Sequence, residues 1–119
     1  MNPFRKLKAF VMLYQAEAQA DAAFNQYGRR FFVMPTQDGK LFVMDKYDLR
    51  RLKVKHYIGK NCHVDDLLRE CFYFTPIKNG LGVINPQDRD NRRRAYYKWY
   101  DLTCKVNRIR KRKGSQPKA

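Results

Sequence analysis

Asn-Pro occurs twice in this chain, at Asn2-Pro3 and Asn85-Pro86, and each time it opens a long stretch of helical periodicity. An Asn side chain can accept from the unpaired amides of a helix start, and proline at the first helical position gives up an amide that has no partner there. The first stretch runs to Gly28, a residue suited to a left-handed stop, and the second to about Lys113. Everything else the chain builds must fit between two long helices.

In the first helix Phe4, Leu7, Val11, Tyr14, Ala18 and Ala22 recur at three- and four-residue steps and are expected to form its inner face. The period then changes. Phe31-Phe32-Val33-Met34 and Leu41-Phe42-Val43-Met44 read as a hairpin with Asp38-Gly39 in its turn. Asp45, with Asp48 three residues on, predicts the cap of a second helix whose inner face holds Leu49, Leu52 and His56 and which ends at Gly59. Val64 to Cys71 predicts a third, short helix, with Asp65 and Asp66 at its positive end and Leu67, Leu68 and Cys71 turned inward. Phe72-Tyr73-Phe74-Thr75 and Leu81-Gly82-Val83-Ile84, around Asn79-Gly80, suggest a second hairpin. The expected class is α+β: a small antiparallel sheet of one or two β-hairpins flanked by an N-terminal helix and a long basic C-terminal one. Residues 1–113 are expected to form one compact domain, including the basic helix 86–113, with 114–119 as a flexible tail.

Charge narrows the function. The 119 residues carry 26 Lys and Arg against 11 Asp and Glu, a formal net charge of +15. Such a field repels itself, and a polyanion relieves it while releasing counterions. Nucleic acid is the leading partner. No apolar run approaches the length of a membrane span or the core of a signal peptide, so no membrane partner and a cytoplasmic location are expected. Cys62, Cys71 and Cys104 are odd in number and widely spaced, which fits buried thiols in a reducing compartment.

The cations concentrate in the last helix. From Pro86 onward twelve Lys and Arg face three Asp, a surplus of nine. Ala95, Trp99, Leu102, Val106 and Ile109 line up as an apolar anchor, and Arg94, Lys98, Lys105, Arg108 and Arg112 form a cationic stripe beside it. Arg92-Arg93-Arg94 and the run Arg108, Arg110, Lys111, Arg112 and Lys113 have almost no acid to share their charge, unlike an ordinary solvated face. Aromatic rings interleave with these cations, and exposed rings beside a positive groove are what unpaired bases stack on. Trp99, on the apolar stripe, is expected in the core; Tyr97 borders the basic edge and is the stacking candidate; Tyr96 and Tyr100 suit either role. Arg50, Arg51, Lys53 and Lys55 form a second cluster, which Arg29 and Arg30 extend.

Other chemistries find little footing. His56, Cys62, His63 and Cys71 hold metal-ligand chemistry, but their spacing departs from the paired ligands of structural zinc sites, and no metal or cofactor is expected. Asp65, Asp66 and Glu70 are the carboxylates a magnesium-dependent nuclease would need, but their position in the first turns of a short helix is what dipole complementarity alone produces, and that reading is preferred. No phosphate-cradling glycine loop or nucleophile-and-base arrangement is present, so the chain reads as non-enzymatic, without catalytic residues.

The stretch Phe31-Phe32-Val33-Met34-Pro35-Thr36 through Gly39-Lys40-Leu41 to Asp48-Leu49-Arg50-Arg51-Leu52-Lys53, with Glu70-Cys71-Phe72-Tyr73-Phe74-Thr75-Pro76 and Asn79-Gly80, resembles small non-structural proteins of the tailless single-stranded DNA phages of the Microviridae, in the gokushovirus and related gut branches. The resemblance spans roughly residues 1–100 and carries no catalytic motif. It implies a phage protein in the bacterial host cytoplasm, acting as the genome passes from replication to single-strand synthesis and packaging. Two functions fit: an accessory protein binding single-stranded DNA, or an assembly or scaffold protein whose helices contact copies of itself or another phage protein.

Overall fold

The computed structural model describes residues 2–36, 38–54 and 63–115, the last with side chains through residue 110. Its elements run α1 (Pro3–Tyr27), β1 (Phe32–Pro35), β2 (Leu41–Met44), α2 (Lys46–Val54), α3 (Val64–Glu70), β3 (Tyr73–Phe74) and α4 (Pro86–Ser115). The fold is α+β, with four helices and a three-stranded antiparallel sheet in the order β2-β1-β3 among the described residues.

The punctuation of the elements follows local chemistry. Asn2 Oδ1 accepts from the Phe4 amide at 2.8 Å, and Asn85 Oδ1 does the same for Gln87 at 2.8 Å. Gly28 closes α1 with φ at 68°. Asp45 Oδ1 accepts from the amides of Tyr47 and Asp48, while Asp48 Oδ2 accepts from the Asp45 amide, a reciprocal box at the head of α2. Asp66 Oδ2 accepts from the His63 amide at 2.8 Å and starts α3. α4 continues through Gly114 and Ser115, two residues past the expected end. His56 and Gly59 lie outside the described residues.

The first hairpin forms as expected, with Gly39 at φ 79° in its turn, and its register sets Phe32 opposite Met44 and Pro35 opposite Leu41. The second does not. Tyr73-Phe74 pairs with β1 instead, Phe32 opposite Phe74, and Thr75 extends the ladder by donating from its amide to Phe31 O. The Asn79-Gly80 turn closes locally through the Ile77 amide and Leu81 O at 2.9 Å, but 81–84 is not a strand. Gly82 sits at φ 72°, which breaks an extended path, and Arg30 takes over the hydrogen bonding by donating to Thr75 O and Gly82 O.

Among the described residues, two groups of side chains make the core. One joins Ala16 and Ala20 of α1 to the sheet, with Leu49 of α2 and Leu67 of α3. The other joins Ala9 and Leu13 of α1 to Phe72 and to Tyr96 and Tyr100 of α4. The expected inner face of α1 is therefore corrected: Phe4, Leu7, Val11, Tyr14, Ala18 and Ala22 are all exposed, Phe4 to 84% and Tyr14 to 65%. This helix is apolar on two sides. The alanine side wins because small side chains let α1 lie close on the sheet and on α4, bringing the Tyr96 hydroxyl within 2.6 Å of Ala9 O.

Candidate nucleic-acid interface

α4 packs antiparallel to α1, joined by Glu17 with Arg89 at 2.8 Å, Ala9 O with Tyr96, and Arg5 with Asp101 at 2.9 Å. Beyond Asp101, α4 runs on past the start of α1, and Thr103 and Asn107 border the hairpin turn at Gly39. The face it turns inward is not the expected one. Tyr96 and Tyr100 are buried, Trp99 is half-buried against Phe72, and Ala95, Leu102, Val106 and Ile109 are exposed, Leu102 to 63% and Ile109 to 54%. The helix is rotated by about one residue, roughly 100°, from the expected anchor. Tyrosine outcompetes the aliphatic stripe because Phe72 and Trp99 enclose the Tyr96 ring and its hydroxyl finds an acceptor.

That rotation leaves the cationic stripe facing outward. Arg94, Lys98, Lys105 and Arg108 are exposed on the side of α4 away from Tyr96 and Tyr100, and Arg110 is exposed on another side. Two of the four have an acid one turn back: Arg94 meets Asp90 at 3.0 Å and Lys105 meets Asp101 at 3.2 Å. Asp101 also accepts from Arg5, and that bond, with the one from Lys105, holds its carboxyl below the ordinary range. Lys98 and Arg108 have no ion-pair partner among the described residues. The side chains of Lys111, Arg112 and Lys113 lie outside them.

The remaining expected contacts separate into inward and outward cations. Arg92 is spent inside: it pairs with Asp88, donates to Cys71 O at 2.6 Å and lies over the Phe74 ring at 5.1 Å. Arg93 is half-buried and borders a small cleft with Phe10 and Glu17. Tyr97 is half-buried and opens onto a shallow groove with Lys6, Leu7 and Phe10. Arg50 and Arg51 are exposed on α2, whereas the Lys53 side chain and Lys55 fall outside the described residues. Arg30 does not extend this surface, being committed to two carbonyls, and burial lowers its pKa.

Sequence reasoning passed over Tyr47. Its ring lies within 4.8 Å of the Arg29 guanidinium, 5.2 Å of Lys46 Nζ and 5.8 Å of the Arg50 guanidinium. The signal was present in the run Lys46-Tyr47 and in Arg29-Arg30 after Gly28, but only the tertiary fold brings the two runs together.

Of the groups with metal or nucleophile chemistry, His63 is exposed beside its cap and Asp66 is committed to the His63 amide and Arg69. Cys71 is buried, and burial pushes its thiol up to about 11. His56 and Cys62 lie outside the described residues. No described helix is long and apolar enough to cross a membrane. No family model, curated protein or solved structure matches this chain.

Proposed function

We propose that the protein is a non-enzymatic binder of single-stranded nucleic acid, DNA in the first place, with the outward stripe of α4 as its principal contact. The observation that carries this reading is the separation of duties on α4. Tyr96 and Tyr100 hold the helix to the body, while Arg94 and Lys98 face solvent along the packed stretch and Lys105 and Arg108 do so on the stretch that overhangs it. A row of outward cations along a helix can neutralise phosphates and needs no base-specific contact. Tyr97, in its groove beside Lys6, is placed to stack on an unpaired base at the flank of the stripe. On the phage resemblance, the setting is the bacterial cytoplasm during genome synthesis and packaging.

The test is binding to single-stranded DNA, duplex DNA and RNA over a range of salt. In a variant with Arg94, Lys98, Lys105, Arg108 and Arg112 all changed to Gln, affinity for single strands is expected to fall, and each lost phosphate contact should flatten the log–log salt slope by about 0.7. Glutamine is a good helix former, so folding should survive. Tyr97→Ala should weaken binding by about 1–3 kcal/mol if the ring stacks on a base. Unchanged affinity and slope in the glutamine variant would show the stripe to be a solvated face.

A second reading, an assembly or scaffold protein, is favoured by the exposure of Leu102, Val106 and Ile109 on the same overhang. It predicts contact between helices of separate chains.

A further inference from the structure

A cavity of about 480 Å³ opens at the far end of α1 from the α4 overhang, where the end of α1 meets the start of α2 and the turn after β3. Its size suits one small ligand. Four cations line it, Arg29, Arg30, Lys46 and Lys78, and among the described lining residues there is no acid. Its apolar wall includes Tyr27 and Tyr47, both with rings substantially exposed, together with Val64 and Ile77.

The cations differ in what they have left to give. Arg30 is committed to the carbonyls of Thr75 and Gly82 and lies over the Phe74 ring. Arg29 is braced by Asp45, which accepts from its Nε at 2.6 Å, and by Tyr27, Tyr47 and Phe31, whose ring centres lie 5.0, 4.8 and 5.8 Å from its guanidinium carbon. Burial opposes the charge on Asp45, but the Asp48 amide and Arg29 outweigh it and hold the carboxyl below its ordinary range. The guanidinium is thus fixed in place by one edge and its faces, and its terminal nitrogens have no hydrogen-bond partner among the described residues. Lys46 and Lys78 are exposed and add two cations at the mouth. A preorganised guanidinium, two flanking ammonium groups and a phenol ring beside them answer to a phosphate carrying a flat base.

We propose that this cavity holds one nucleoside monophosphate unit, its phosphate between Arg29, Lys46 and Lys78 and its base on the Tyr27 ring. The unit is a nucleotide of a bound strand or a free nucleotide; the first source deepens the nucleic-acid reading above and rests on it. From Tyr27 along α1, the helical rise of about 1.5 Å per residue puts the near end of the stripe, Arg94, roughly 20 Å away and its far end, Arg108, roughly 40 Å away. Their contributions can therefore be measured apart.

The experiment is an NMR titration of the isotopically labelled full chain with deoxyadenosine 5′-monophosphate, with inorganic phosphate and with deoxyadenosine as separate probes. The monophosphate should shift the amides of Tyr27, Arg29, Arg30, Lys46 and Tyr47 and bind more tightly than either part alone. A Lys46→Gln/Lys78→Gln variant, altered only at exposed positions, should weaken it about tenfold or more, as expected for lost charge-assisted hydrogen bonds. The α4 glutamine variant should bind it as wild type does. Competition by a short single-stranded oligonucleotide identifies a strand nucleotide as the occupant, and its absence identifies a free one. No shift at these amides, or equal affinity in the lysine variant, would overturn the proposal. Strand binding without monophosphate binding refutes the cavity and leaves the α4 reading standing; monophosphate binding without strand binding does the reverse.

Discussion

Tyr96 is the largest side chain fully withdrawn from solvent among the described residues, and it reaches across 87 positions to place its hydroxyl on Ala9 O. The Phe72, Tyr97, Trp99 and Tyr100 rings surround it at centroid separations of 5.3–6.1 Å. Burial pushes its phenol pKa up, so it stays a neutral donor through the physiological range. Tyr96→Phe keeps the ring and loses the hydrogen bond, for an expected cost of about 1 kcal/mol; Tyr96→Ala also opens a cavity and should cost about 3–5 kcal/mol. Trp99→Ala, at a half-buried position, should cost less than Tyr96→Ala. Denaturant unfolding of the three variants checks the order, and a Trp99 effect exceeding that of Tyr96→Ala would show that the indole is the anchor after all. In the sequence the two aromatics look alike in hydrophobic content, and aliphatic periodicity favours Trp99. What separates them is a carbonyl on another helix.

The helices and the first hairpin were legible because their boundaries are written locally: Asn2 and Asn85 cap, Asp45 and Asp48 exchange hydrogen bonds, and Gly28 and Gly39 take left-handed backbone. Which side of each long helix turns inward was not legible, whereas Leu49 of α2 and Leu67 and Cys71 at α3 are buried as expected. α1 offers Phe4, Leu7, Val11 and Tyr14 on one side and Ala9, Leu13, Ala16 and Ala20 on the other, and transfer free energy alone favours the larger set. The fit to the sheet decides instead, since bulky side chains would hold α1 away from β1 and β2. Replacing Phe4, Leu7, Val11 and Tyr14 singly with Gln should change stability by no more than about 0.5 kcal/mol each. Ala20→Leu, adding volume where no exposure remains, should cost about 1–3 kcal/mol by overpacking. Thermal melts decide between the two faces. The candidate site was legible to the same extent: the cationic stripe of α4 is local in sequence, whereas the removal of Arg92 into the interior and the meeting of Arg29 with Tyr47 depend on tertiary contacts.

The molecule is elongated, 59 × 37 × 22 Å, with the cationic overhang toward one end of α1 and the Tyr27–Tyr47 cavity toward the other. The overhang also bears the exposed Leu102, Val106 and Ile109, and salt acts on its two kinds of surface with opposite sign. Screening weakens phosphate contacts but relieves repulsion between chains of net charge +15, so apolar pairing between copies should strengthen as salt rises. Sedimentation velocity across salt and protein concentration reads this directly. Association that grows with salt and disappears in a Leu102→Gln/Ile109→Gln variant would support the scaffold reading, and a constant monomer would remove it. The antiparallel contact of α1 with α4 also sets the order of events as the chain is made. Ala9 and Leu13 leave the ribosome long before Tyr96 exists to cover them, and closing so long a loop is entropically slow compared with forming the first hairpin. During that interval both sides of α1 are uncovered along its first half, making the nascent protein a stickier object than the finished one.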